Sequence, residues 1–417
     1  MKDSVMRDLL FQCGKVFSPA TPINTRDLFA GRTPQITQVS QAVHTRGQHA
    51  IIFGERGVGK TSLANILKSL LEDENTIAAK VNCHNEDSYA MIWRNALSEI
   101  KIVQEQEGYG FRPQKQTTEY NPAHEIGAKV GPDDVRRILM PLGKLADMVV
   151  ILDEFDRLRG GKLQRLFADT IKNFSDHALN TTLVIVGVAN DVSGLIKEHA
   201  SVDRCLVQIP MPRMTPVELK EIIHHATTEL KMSIQPEALE LIILLSQGLP
   251  HYTHLLGFES TVTAIEAGRR KITLADVKKG VTRALQKVQH SVLDEYRNAI
   301  QGQRAGTLFP HVLLACALAE VDAQGYFISA KVRDPFSMIM QKRYDIPGFS
   351  QHLDKFSSDP SRGPVLEKAG TARRYRFRFR NPLLQPYIIM RGLAEGILDG
   401  ELLDLLKRKQ RQRAPAT

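Results

Sequence analysis

Gly54-Glu55-Arg56-Gly57-Val58-Gly59-Lys60-Thr61 reads G-x-x-x-x-G-K-T, the spacing of a phosphate-binding P-loop. The apolar run Ala50-Ile51-Ile52-Phe53 leads into it, and Ser62 opens the helix-forming stretch Ser62-Leu63-Ala64-Asn65-Ile66-Leu67-Lys68 behind it. The motif needs that strand–loop–helix setting. Its glycines let backbone N–H groups close around phosphate oxygens, and the helix N-terminus adds partial positive charge there. Gly54, Glu55, Arg56, Gly57, Val58, Gly59, Lys60, Thr61 and Ser62 are therefore the expected nucleotide cradle. Lys60 is expected to reach the β- and γ-phosphates, and the Thr61 hydroxyl to ligate Mg²⁺.

A P-loop of this kind needs an acidic strand end facing it. Met148-Val149-Val150-Ile151-Leu152-Asp153-Glu154 is an apolar strand that ends in two acids. Asp153 is expected to hold the Mg²⁺ shell and Glu154 to orient and deprotonate the attacking water. A further strand, Leu183-Val184-Ile185-Val186-Gly187-Val188-Ala189, ends at Asn190. A polar side chain at that tip is placed to reach the γ-phosphate or the lytic water.

Around these motifs, apolar runs at 50–53, 77–82, 148–152, 183–188 and 205–209 alternate with helical stretches, the pattern of a parallel sheet flanked by helices. The connection from about Gln104 to Val130, rich in Gly, Gln and Pro, is expected to be an irregular insertion. From Thr215 to about Gln301 the strand signals vanish. Thr215 is a candidate N-cap before Pro216-Val217-Glu218-Leu219, and Thr273-Leu274-Ala275-Asp276 has capping-box spacing. The organisation expected is an N-terminal arm over 1–35, an α/β core over 36–212, a small helical domain over 213–300, a basic domain over 301–395 and a tail over 396–417. The charged run Lys407 to Arg413 is expected to be disordered.

The chain has 417 residues, 42% of them apolar, and its longest apolar runs, such as Val312 to Ala319, are too short to span a bilayer. The N-terminus carries acids and lacks the long apolar stretch of a signal peptide. Cys13, Cys83, Cys205 and Cys316 lie far apart, which argues against a zinc site and against a disulfide framework. A cytoplasmic setting without a membrane fits these features. Net charge is +9, and beyond residue 300 the chain holds 19 Lys and Arg against 11 Asp and Glu. An excess gathered in one quarter suggests a polyanion partner there, the alternative being a basic solubilising surface.

The series Phe29-Ala30-Gly31-Arg32, P-loop, Asp153-Glu154, Gly187-Val188-Ala189-Asn190 and Arg204 resembles an AAA+ ATPase. It is most similar to the initiator clade of origin-recognition and cell-division-control type ATPases and their bacterial relatives. STAND signalling ATPases and transposition regulators share parts of it. The resemblance implies an α/β P-loop NTPase fold, a parallel sheet with helices on both faces, followed by a helical lid and a C-terminal winged helix. It implies ATP as the nucleotide, with Gly31 and Arg32 near the adenine. It places Arg204 where the family carries an arginine finger acting on a neighbouring subunit, hence a homo-oligomer; the alternative is a surface arginine before a strand. Gly248-Leu249-Pro250-His251 falls at the lid position where many relatives carry a sensor arginine. With His251 there instead, a slow switch is expected rather than a fast motor, and Pro250 and His251 are the nucleotide contacts expected from the lid.

In the basic domain, helical stretches from Leu308, Lys331 and Gly348 precede a hairpin, an order that describes a winged helix. The hairpin strand Arg374-Tyr375-Arg376-Phe377-Arg378-Phe379-Arg380 alternates at period two. Tyr375, Phe377 and Phe379 fall on one face, and Arg374, Arg376, Arg378 and Arg380 on the other. The arginine face is expected to follow the phosphates of double-stranded DNA, the alternative being an edge strand whose like charges discourage aggregation. The expected activity is a slow ATP hydrolase switching state on DNA. The alternative is a regulatory switch controlling a partner effector protein, as in bacterial antiviral defence, or a transposition regulator. No nuclease, protease or deaminase motif is present, so any effector activity would come from that partner.

Overall fold

The computed structural model describes residues 3–19, 31–73, 75–100, 102–107, 115–158, 161–189, 192, 196, 202–301, 307–322, 324–372 and 374–413. The chain divides into two compact units: Met1–Thr21, Arg56–Val58 and Arg213–Thr417 form one, and Pro22–Glu55 with Gly59–Pro212 form the other.

The N-terminal stretch expected as an arm begins with helix α1 (Asp3–Val16), which belongs to the first of these units. Leu9, Cys13 and Phe17 are buried at four-residue spacing. That short stripe is what the acids and lysines around it obscure in the sequence.

The second unit holds α2 (Thr33–Val43), β1 (His49–Gly54), α3 (Lys60–Leu71), β2 (Thr76–Asn82) and α4 (Tyr89–Ser98). It continues with β3 (Ile102–Glu107), β4 (Lys115–Tyr120), α5 (Pro132–Leu142), β5 (Asp147–Asp153), α6 (Gly161–Asp176), β6 (Thr181–Val188) and β7 (Leu206–Pro210). Five strands form one parallel sheet in the order β2-β5-β6-β1-β7. Consecutive residues of β5 and β6 are buried, so both sheet faces are covered. One cover is aromatic: Tyr89 and Trp93 of α4 meet Phe167 and Phe174 of α6, and Phe155 meets Phe167 edge-on. The Tyr89 and Thr170 hydroxyls, 2.7 Å apart, satisfy each other inside it.

The connection expected as irregular contains a hairpin. β3 pairs antiparallel with β4, from Ile102 opposite Tyr120 to Glu107 opposite Lys115. Its polar sequence lacks the apolar alternation by which a strand is recognised, so only backbone pairing reveals it.

In the first unit, α7 (Pro216–Glu229), α8 (Pro236–Ser246), α9 (Pro250–Glu266) and α10 (Leu274–Lys287) form the helical part, joined by the two-residue parallel pair β8 (Ser233–Ile234) and β9 (Lys271–Ile272). Thr215 accepts from the Glu218 N–H and Thr273 from the Asp276 N–H, and both glutamate and aspartate reach back to close capping boxes. At the centre of α9, Glu259 is wholly buried between Arg283 (2.9 Å) and Lys287 (2.6 Å) of α10.

Helix α11 (His290–Ile300) leads to α12 (Phe309–Leu318), β10 (Phe327–Ile328), α13 (Ser329–Ile339), α14 (Ser350–Ser358), β11 (Leu366–Ala369), β12 (Arg376–Phe379), α15 (Leu384–Ala394) and α16 (Gly400–Arg413). The last strands form a three-stranded antiparallel sheet in the order β10-β12-β11. The two parts of the unit are joined by polar contacts. Tyr252 donates to the Leu383 carbonyl at 2.7 Å and Arg213 to the Gln385 side chain at 2.9 Å; within the C-terminal part, Gln385 in turn donates to the Ala317 carbonyl at 2.9 Å.

The basic run expected to be disordered lies in α16. Leu402 and Leu406 are buried, and Lys409 lays its stem on the same face and donates to the Ala317 carbonyl at 3.3 Å. Charge density hid a stripe of residues at helical spacing.

Candidate nucleotide site

The P-loop starts where β1 stops. Gly54 is the last residue of that strand, and a Cβ there would sit 2.4 Å from the Met211 carbonyl oxygen, so only glycine lets the backbones pass. Gly59, at φ 97°, takes the left-handed conformation that caps α3. Helix α3 therefore begins at Lys60, with Thr61 and Ser62 in its first turn. Lys60 is buried, and its ammonium donates to the carbonyls of Gly54 (3.0 Å) and Glu55 (2.7 Å), inside the curve of its own loop.

Asp153 ends β5, only 1% exposed. Its Oδ1 faces the Thr61 hydroxyl at 3.5 Å and accepts the Glu154 N–H at 2.9 Å. Its Oδ2 lies 3.0 Å from the ammonium of Lys80 on the neighbouring strand β2. Glu154 adopts φ 55°, ψ 35°, a left-handed conformation that a glutamate adopts at a cost of order 1–3 kcal/mol. That turn carries its half-exposed carboxylate out of the strand line, where Arg157 pairs with it at 2.9 Å. Asp156 accepts the Val188 N–H at 2.7 Å, tying the acidic turn to the end of β6. Cys83, just beyond β2, is pushed up to about 12, first by burial and then by the carboxylates of Asp87, Asp153, Asp156 and Glu154. That favours its neutral thiol at neutral pH.

Lys60, Thr61, Asp153 and Glu154 thus come together at one edge of the sheet. Gly31 and Arg32, both at positive φ, precede α2, and Arg32 is buried with its guanidinium donating to the Pro212 carbonyl at 2.6 Å. Arg204 lies in a short turn before β7, 70% exposed and ion-paired with Asp176 at 2.6 Å. Asn190, Phe29 and Ala30 lie outside the described residues. Arg56, Gly57, Val58, Pro250 and His251 belong to the other unit. There His251 Nδ1 bonds the Pro19 carbonyl at 2.9 Å, and burial, the largest influence, lowers its pKa, with the positive Arg56 acting in the same direction.

The arginine stripe has partners of its own. Phe377 and Phe379 are buried as expected of the apolar face, whereas Tyr375 is 38% exposed. Arg378 pairs with Glu367 at 2.6 Å, and Arg380 donates to the Leu366 carbonyl at 3.2 Å. Arg376 reaches Gln324 at 3.2 Å, and the guanidinium groups of Arg376 and Arg378 both stack on Tyr326. Arg374 is exposed.

Lys80, Asp156 and Arg157 were missed in the sequence. The one available signal was Lys80 itself, a lysine within the otherwise apolar β2 segment Ile77-Ala78-Ala79-Lys80-Val81.

Among the described residues no group of His, Cys, Asp and Glu is arranged to hold a metal by itself, and no helix is long and apolar enough to cross a membrane. Thr61 and Asp153 nonetheless fit Mg²⁺. They present hard oxygen donors 3.5 Å apart, the ligand type that Mg²⁺ takes together with nucleotide phosphates rather than in an all-protein cage.

Residues 28–185 match the family model of the AAA ATPase domain. No curated protein matches the sequence. Among solved structures, the chain is similar to the Walker-type ATPase PABY2304 of Pyrococcus abyssi, at 14% identity and a TM-score of 0.55, covering 90% of this chain and 99% of that one. The Aeropyrum pernix ORC2 protein follows at 15% identity and a TM-score of 0.48, covering 96% and 98%. Cdc6p from Pyrobaculum aerophilum stands at 17% and 0.44, covering 95% and 99%. At these identities the first likeness shows the fold alone, and it agrees with the α/β P-loop architecture above.

Proposed function

We propose that this chain, which carries an AAA ATPase domain over residues 28–185, is a slow ATP hydrolase that works as a conformational switch and acts on DNA. The observation that carries the reading is the meeting of Thr61, Asp153 and Glu154 at the mouth of a P-loop.

The loop N–H groups and the α3 N-terminus receive the phosphates. Lys60 exchanges the Gly54 and Glu55 carbonyls for phosphate oxygens. Thr61 and Asp153 would hold Mg²⁺, which when bound would neutralise phosphate charge. Glu154 leaves Arg157, accepts a proton from the attacking water at a carboxylate oxygen and aims the water's oxygen at the γ-phosphorus, whose bond to the bridging oxygen breaks as ADP leaves with that oxygen. Asn190 is assigned to orient the γ-phosphate, and Arg204 to reach a neighbouring copy after leaving Asp176. The order α12, β10, α13, α14, β11, β12 supports a winged helix, with exposed Arg374 and Arg380 offered to DNA phosphates.

A second reading has an observation of its own. Arg378 is committed to Glu367, and Arg376 to Gln324 and Tyr326. That favours the basic module as a packing surface in a switch that controls a partner effector. ATP turnover with and without duplex DNA, read beside particle size, separates the two. Stimulation by DNA supports the first, while turnover and assembly indifferent to DNA support the second.

A further inference from the structure

The two oxygens of Asp153 face different partners. Oδ1 turns to Thr61 and the Glu154 N–H, and Oδ2 to Lys80 at 3.0 Å. Lys80 stands opposite Ile151 in the β2–β5 register, and Asn82 stands opposite Asp153. The lysine side chain therefore runs along the strand toward the acid, and Asn82 Oδ1 accepts from the same ammonium at 3.0 Å. The side chains of Lys80 and Asp153 are 11% and 2% exposed, so the pair is shielded from water. A shielded carboxylate needs a cation, and removing that cation leaves a costly bare charge.

The neighbouring acid has its own cation, Arg157 on Glu154. A metal ion arriving alone therefore meets acids that are already paired, and Mg²⁺ gives up its water reluctantly. The triphosphate changes this, because it brings negative charge and oxygen ligands of its own.

We propose that Lys80 is a positioning residue that stands in for the metal's charge at Asp153, holds Oδ1 toward Thr61, and so makes Mg²⁺ loading conditional on the nucleotide. This rests on the nucleotide reading above. It predicts that the chain without nucleotide ignores Mg²⁺, and that removing the ammonium opens the site to the bare ion.

The test is thermal unfolding of the full chain, wild type, Lys80→Met and Lys80→Arg, in EDTA, in MgCl₂ alone, and in ATP with MgCl₂. The expected result is a wild-type Tm unmoved by MgCl₂ alone. Lys80→Met should unfold earlier in EDTA and recover by roughly 2–5 °C when Mg²⁺ reaches about ten times its Kd. Lys80→Arg should follow the wild type, and ATP with MgCl₂ should raise the Tm of all three. Equal shifts by MgCl₂ alone in wild type and Lys80→Met would overturn the inference. So would a Lys80→Met that binds ATP with Mg²⁺ yet ignores Mg²⁺ alone. Should Lys80→Met fail to fold, calorimetric titration of the wild type with MgCl₂ decides by itself: heat of binding without nucleotide contradicts the proposal. No shift with ATP and MgCl₂ in the wild type sinks the nucleotide reading instead, and the inference with it.

Discussion

The Thr61 hydroxyl lies 3.5 Å from Asp153 Oδ1, across 92 residues of sequence. The strands that lead to them are not neighbours, since β6 stands between β1 and β5. Helix α3 closes the gap by packing over β6, β5 and β2, which brings its first turn to the end of β5. A motif at one place in the chain and an acidic strand end at another thereby become a single site.

Lys60 is the first residue to probe there. Its ammonium donates to the Gly54 and Glu55 carbonyls of its own loop, and its loss should deprive the phosphates of a charged partner. Hydrogen bonds to charged groups contribute about 1.5–3 kcal/mol. Lys60→Ala should weaken ATP binding by roughly 10- to 100-fold, measured by titration with a fluorescent ATP analogue.

Glu259 gives a stability prediction in the helical part of the first unit. Its carboxylate is wholly buried, while Arg283 and Lys287 are 35% and 53% exposed. Either cation alone can still answer the buried charge, so each single alanine variant should cost about 1 kcal/mol or less. The Arg283→Ala, Lys287→Ala double variant leaves the carboxylate bare and should cost about 3–5 kcal/mol. Denaturant unfolding of the four proteins should show this excess over the sum of the singles.

Two buried histidines set a pH dependence, one in each unit. His49 and His254 are each lowered to about 4, mainly by burial. His49 Nδ1 accepts the Leu183 N–H at 2.9 Å, which requires the neutral ring, and neither nitrogen of His254 has a hydrogen-bond partner among the described residues. Between pH 6.5 and 4 the unfolded chain binds protons that the folded one refuses. Stability is therefore full above about 6.5 and falls as pH drops toward 4, by on the order of 3 kcal/mol for each histidine. Urea unfolding from pH 7 to 4.5 should show the loss, and His254→Phe should flatten its share.

Salt dependence tests the basic hairpin. Four free arginines on DNA would give a slope of log K against log salt of roughly −3 to −4. With Arg378 held by Glu367 and Arg376 on Gln324, about two remain to offer, and the slope should be near −2. Glu367→Gln should release Arg378 and steepen it by about one. An unchanged slope in that variant would show that Arg378 does not reach the phosphates.

Much of this architecture was legible because its signals are local. The P-loop spacing, the strand that ends in Asp153-Glu154 and the Thr215 and Thr273 caps each lie within a few consecutive residues. The stretches that escaped have signals diluted by charge or polarity. Leu9 and Cys13 of α1 with Phe17 just beyond it, and Leu402 and Leu406 of α16, are apolar stripes in charged surroundings. The sequence of the β3–β4 hairpin has no apolar alternation to announce it. Lys80 and Arg157 escaped for another reason, since ion pairing to a site acid depends on strand register and turn geometry. Neither is written in any one segment.

Glu154 is assigned to activate water on a nucleotide held by Lys60, Thr61 and Asp153. Single-turnover hydrolysis of ATP by wild type and Glu154→Gln, with ATP binding measured on the same samples, tests it most directly. Equal binding is expected, with a loss of hydrolysis of at least about 100-fold, in line with the roughly 10²–10⁴ that a positioned general base contributes. Hydrolysis at the wild-type rate in Glu154→Gln would contradict it.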